Sequence, residues 1–208
     1  MARPRTTAPL PVYLDESDPP SRRAVVSAAL RLFVRKGIGE TTVREIAAEA
    51  GFTNPVLFKY FAGRDELAAF LFERCYRSFS LQLAAAQHGT DSFDARLSAM
   101  VGVFLSSMDQ DLDAHLFVQE NLRRLWPSAA PALRRHSLVR MTGELFELGK
   151  AEGVVDVALD TLLLSVALLG TIGQLARSLY FGELRGGRAI DSRAQVERLL
   201  RNLIHARR

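Results

Sequence analysis

The stretch GFTNPVLFKYF, residues 51–61, decides the fold, because it sets a proline near the start of a run whose apolar spacing is helical. If Thr53 is the N-cap, Pro55 falls in the first turn, where backbone N–H groups have no intrahelical acceptor and a missing one costs little. At about 100° per residue, Leu57 and Phe61 share the packing face, Pro55 and Lys59 point the opposite way, and Val56, Phe58 and Tyr60 lie on the flanks. The outer side therefore presents a small rigid ring, a cation and aromatic edges.

The residues upstream supply a partner for that packing face. Thr42 and Glu45 have the spacing of a capping box, and Val43, Ile46, Ala47 and Ala50 form one apolar stripe that Gly51 ends after about two turns. Further back, Ser21 can cap a helix carrying Val25, Ala28, Ala29, Leu32 and Phe33, with Gly37 to close it. A short capped helix, a glycine-containing turn and a second helix make a helix-turn-helix, whose second helix enters the major groove by its N-terminal residues. In that geometry Asn54 pairs with adenine, Pro55 and Val56 touch thymine methyls, and Lys59 reaches a guanine edge or a phosphate.

Residues 22–67, with AALRLF in the first helix, TTVREIAAEAG in the second and LFKYFAGRDEL after the third begins, resemble the N-terminal domain of the TetR family of bacterial transcriptional regulators. The resemblance implies a homodimer that reads a palindromic double-stranded DNA operator, and a larger helical domain that dimerises and binds a small effector. It also implies that Thr42, Arg44, Thr53, Asn54, Pro55, Val56, Phe58, Lys59, Tyr60 and Arg64 occupy positions where family members touch DNA. Two residues depart from the family pattern: Phe58 stands where a Tyr is usual, losing a hydroxyl that could donate to phosphate, and Arg64 stands where a Lys is usual.

Beyond Asp65 no strand pattern survives and helical stripes recur to the end, broken by Gly, Pro and Asp at residues 88–91, 109–113, 127–131, 153–160 and 182–191. The reading is an all-α chain: a three-helix helix-turn-helix DNA-binding domain at residues 21–67, then a larger helical ligand-binding and dimerisation domain at 68–208. Residues 1–20 hold five of the eight prolines and no periodicity, which predicts a flexible arm with Arg3 and Arg5 near its start. Such an arm is either a plain tail or a minor-groove contact.

Composition bounds the function. A 208-residue chain with 48% hydrophobic content can build a real core. One cysteine, Cys75, makes no internal disulfide, and no apolar signal segment opens the chain, so the expected setting is the cytoplasm. The formal charge of +4 is compatible with nucleic acid but does not by itself point to it. Residues 161–176 carry no charge but fall short of the roughly 20 that a membrane crossing needs, and they predict a buried or interface helix.

In the second domain that helix, with Gly170 and Gly173 for close approach, and the basic amphipathic VERLLRNLI at residues 196–204 are the expected dimer interface. An apolar cavity between helices would suit a small apolar or aromatic effector, with Phe104, Met108, Phe117, Asn121, Trp126, Met141 and Gln174 on the segments around it. Asp109, Asp111, Asp113 and His115 alternate in a predicted loop with Asp113 as an N-cap, which gives no convergent metal site. Cys75 lies in an apolar helical stretch and is read as structural. No nucleophile, acid/base, Walker, Rossmann or zinc-finger pattern appears, so neither an enzyme nor a cofactor is expected. The expected function is that of a DNA-binding transcriptional regulator, with the resemblance implying a repressor released by an effector. The alternative is an architectural or partner-docking DNA-binding protein without one.

Overall fold

The computed structural model describes residues 10–184 and 187–204, and in these the chain is helical throughout, with ten α-helices and no strand. It divides into two compact units at Arg74 and Cys75, a point that falls inside one helix.

In the first unit, α1 (Pro20–Glu40) is broken by Gly37 at φ 81°. Its buried residues Val25, Val26, Ala28, Ala29, Leu30, Leu32 and Phe33 cover a wide arc, and it packs on both α2 (Val43–Glu49) and α3 (Asn54–Phe58). The predicted cap of α1 is corrected: the helix begins at Pro20 without a side-chain cap. The Ser21 hydroxyl instead meets the Tyr60 hydroxyl at 2.7 Å. The predicted arm is described only from residue 10 onward. Arg3 and Arg5 lie outside the described residues, but Tyr13 is buried, and Asp18 pairs with Arg22 at 2.6 Å and with Arg74 at 3.5 Å. This tethers the segment ahead of α1 to its own unit.

The first part of α4 (Arg64–Gln87) completes this unit, with Leu67, Ala68, Leu71 and Phe72 in its core. The rest of α4 belongs to the second unit together with α5 (Phe93–Gln110), α6 (Leu112–Leu125), α7 (Pro131–Arg135), α8 (Leu138–Ala151), α9 (Thr161–Tyr180) and α10 (Arg193–Ile204). The helix breaks fall where Gly, Pro and Asp predict them. The five-residue α7, with Pro131 in its first turn, has too few residues to show a period.

Within the second unit α5 packs on α6, α8 and α10, while α9 packs on α8 and α6. The N-cap of α6 is Asp111, whose carboxylate accepts the Ala114 N–H at 3.0 Å, and not Asp113: the chain turns helical two residues earlier than the loop reading placed it. Among the described residues α9 alone is long and apolar enough to cross a membrane. Its Leu164, Leu168, Ile172 and Ala176 are buried inside the unit, whereas Leu162, Leu163 and Val166 are 59%, 61% and 56% exposed. Leu199 and Leu203 on α10 are likewise exposed, beside the buried stripe of Val196, Leu200 and Ile204.

Candidate nucleic-acid interface and effector cavity

The helix-turn-helix is assembled by three local devices. Thr42 Oγ1 accepts the Glu45 N–H at 3.2 Å while Glu45 accepts the Thr42 N–H at 2.8 Å, a complete capping box. Lys36 lies 2.5 Å from the same carboxylate, and its ammonium, with the two Thr42 donors, holds Glu45 down at about 2. At the other end of α2 the Gly51 N–H donates to Ala48 and the Phe52 N–H to Ala47, at 3.0 and 2.8 Å. That Schellman pattern requires the left-handed φ of 77° at Gly51, which glycine adopts without steric cost.

The third device is the face of α3. Leu57 is fully buried and Phe61 is 3% exposed, while Thr53, Asn54, Pro55, Phe58 and Lys59 are exposed and Val56 and Tyr60 are half-buried. Pro55 lies in the first turn after the Thr53 N-cap. The helix is shorter than its apolar spacing predicts. It ends at Phe58 with Lys59 as C-cap, and Tyr60 and Phe61 follow in a turn, the Phe61 N–H still reaching Leu57 O at 3.0 Å. Phe61 is gripped from outside by Phe70 at 5.2 Å between ring centres and by the Arg22 guanidinium at 5.4 Å.

Not every expected DNA-facing group is free for DNA. Arg44 is exposed and carries no ion pair among the described residues, and the Lys59 ammonium rests 5.5 Å from the Tyr60 ring centre. Thr42 is occupied by its capping box and the Tyr60 hydroxyl by Ser21. Arg64 Nη1 donates to the carbonyls of Gly39 and Thr41 at 2.7 and 2.9 Å, clasping the turn ahead of α2. That use of Arg64 depends on residues more than 20 positions away, and no local spacing signals it.

The second unit holds a cavity of about 720 Å³, within the range of small-molecule sites. Of the residues named from the sequence, Phe104, Trp126 and Gln174 line it. Met108 and Phe117 do not line it and are buried in the packing, Asn121 donates to Phe117 O at 2.9 Å, and Met141 lines a separate groove with His88 and His136. The phase of α6 explains the difference. Its cavity side carries His115, Val118, Gln119 and Leu122, spaced i, i+3, i+4 and i+7, while Phe117 and Asn121 lie on another side. A histidine and a glutamine on an otherwise apolar stripe were the signal that sequence reading passed over.

Aromatic packing shapes the interior. The Tyr76 ring lies 4.7 Å from that of Trp126, and its hydroxyl accepts the Leu138 N–H at 2.8 Å at the start of α8. Burial raises the Tyr76 hydroxyl above its ordinary value. His115 stacks on Phe79 at 4.2 Å and meets Ser107 Oγ through Nε2 at 2.5 Å. Burial pulls its imidazole down to about 4, so the ring is neutral near pH 7. Gln119 occupies the space a side chain at position 173 would take: a Cβ there would come within 2.5 Å of its amide nitrogen, so Gly173 is what admits it.

Residues 25–70 match the family described as bacterial regulatory proteins, tetR family. The HTH-type transcriptional regulator BetI of Brucella anthropi is 31% identical over 90 residues, which are 43% of this chain and 46% of that protein. The chain thus aligns with under half the length of this curated relative. Among solved structures, the ketosteroid transcriptional regulator KstR2 of Mycobacterium tuberculosis superposes with a TM-score of 0.80 over 95% of this chain and 100% of that one, at 19% identity. The regulator FadR of Bacillus subtilis, in complex with stearoyl-CoA, superposes with a TM-score of 0.70 over 88% and 100% at 18% identity. The capped α2, the glycine turn and the exposed α3 face are the parts that the family match covers, so it is the first unit that carries the similarity to bacterial regulatory proteins of the tetR family.

Proposed function

We propose that the protein is a sequence-specific DNA-binding transcriptional regulator that acts in the cytoplasm as a homodimer. In this reading it represses from a palindromic operator and is released when a small effector occupies the cavity of the second unit. One observation carries the reading: Asn54, Pro55 and Lys59 all stand exposed while Leu57 within the same short helix and Phe61 just after it are buried. An apolar ring, an amide and an ammonium with no core to serve are groups suited to thymine methyls, adenine edges, and guanine or phosphate. Thr53, Val56 and Phe58 flank these residues, and Thr42, Arg44, Tyr60 and Arg64 complete the proposed DNA-facing set, with Arg44 the one best free to meet phosphate.

Dimerisation through α9 and α10 is supported by the exposed leucines that both helices carry. A lipid-like effector is supported by the apolar cavity and by two solved proteins of this fold, one named for ketosteroids and one holding stearoyl-CoA. Effector binding lowers operator affinity only if the two ligands favour different conformations of the dimer.

The test is selection of random duplex DNA by the purified protein at stated salt, repeated with Asn54→Ala and Lys59→Ala. A palindromic consensus that changes or disappears in the variants supports the reading. Enrichment of no sequence by the parent protein would turn attention to an architectural or partner-docking role.

A further inference from the structure

The walls of the cavity are apolar and its charges are all of one sign. No aspartate or glutamate lines it, although the chain has 23 acidic residues, and its formal charges are Arg134 and Arg177. Both arginines are exposed, and neither has an ion pair among the described residues. Arg177 Nη1 donates to Gln174 Oε1 at 3.0 Å, a bond that orients the guanidinium and leaves its charge uncompensated.

Several carboxylates of the unit are paired with other arginines. Glu144 pairs with Arg140 at 3.0 Å, Glu197 with Arg193 at 2.8 Å, Asp109 with Arg188 at 3.5 Å, and Asp94 with Arg201. Two unneutralised guanidinium groups beside an apolar cavity attract an anion and bind its oxygens by charge-assisted hydrogen bonds. Neutral His115 inside the cavity adds no positive charge there, so the attraction for an anion is concentrated on the arginines.

We infer that the cavity takes an amphiphilic anion, with an apolar chain or fused-ring body among Phe79, Phe104 and Trp126 and an anionic head held by Arg134 and Arg177. A free carboxylate and a coenzyme A thioester share this chemistry. The inference rests on the reading of the second unit as an effector domain and supplies the class of effector.

Trp126 is the chain's one tryptophan and lines the cavity, so its fluorescence reports occupancy without any DNA present. Titrations would use dodecanoate, dodecanoyl-coenzyme A, dodecanol and dodecyltrimethylammonium, each below its micelle concentration. At least one of the two anions is expected to give a saturable change about tenfold or more tighter than dodecanol, and the ammonium to bind weakest. Whichever anion binds identifies the source. In the double variant Arg134→Gln, Arg177→Gln that preference is expected to vanish while dodecanol binding stays within about twofold of the parent. An unchanged thermal melt would show that these two surface changes leave the fold intact. Equal or tighter binding of dodecanol or of the ammonium, no saturable response to any probe, or an anion preference that survives in the double variant would overturn the inference. Because no operator enters the measurement, its failure leaves DNA recognition standing, and a failed DNA selection leaves it standing in turn.

Discussion

The hydroxyls of Ser21 and Tyr60 lie 2.7 Å apart and join the first turn of α1 to the turn that follows α3. Thirty-nine residues separate them in sequence, and the bond fixes the chain where the α3 face meets its support. Tyr60→Phe is expected to destabilise the first unit by about 1 kcal/mol, and Ser21→Ala by a similar amount. The double variant should lose no more than the larger single loss, since each change removes the same bond. Denaturant melts of the four proteins check this, and fully additive losses would show that the two hydroxyls act separately.

Lys59 is expected to act through charge at the DNA surface. Replacing it with Ala should weaken binding to all duplexes and flatten the plot of log affinity against log salt by about one unit if its contact is a phosphate. A loss confined to one base position with an unchanged salt slope would assign Lys59 to a guanine edge instead. Asn54→Ala should relax specificity at one position by about 1–3 kcal/mol.

Acid should loosen the second unit through His115. Its imidazole titrates at about 4 in the folded chain against an ordinary 6.5, so between these values the unfolded chain binds a proton that the folded chain refuses. Stability from this group is therefore fully present above about pH 6.5 and is lost as pH falls toward 4, by up to about 3 kcal/mol. In His115→Gln the fall in thermal midpoint between pH 7 and pH 4.5 should be smaller than in the parent. An equal fall in both would remove His115 from the account.

Cys75 is fully buried, and burial pushes its thiol far above the ordinary range. An aromatic disulfide reagent should leave it unmodified in the native protein and titrate one thiol after unfolding in guanidinium. Rapid modification under native conditions would show that this part of α4 opens readily.

What the sequence revealed and what it hid divide along one physical line. The capping box, the Gly51 turn, the Leu57 and Phe61 anchor and most helix breaks depend on residues within a few positions of each other, and their spacing alone shows them. The jobs of Ser21, Arg64 and Asp18 depend on partners brought close by folding. A local rule therefore turned Ser21 into a cap, and no local rule announced the clasp that Arg64 makes on the Gly39 and Thr41 carbonyls. The cavity was mislocated for a related reason: helix existence follows from period, but which arc of α6 faces an opening depends on how α5 and α9 pack against it. His115 and Gln119 sit on that arc, while Phe117 and Asn121, chosen by residue type, do not.

The leucines that α9 and α10 turn outward also bear on how many copies of the protein a cell must hold. If a second subunit covers them, folding and pairing are one equilibrium governed by mass action, and a sparse chain spends more of its time as a lone, sticky species. Its lifetime against proteases would then lengthen as its own concentration rises, so that the amount of regulator present helps determine how long each molecule of it lasts.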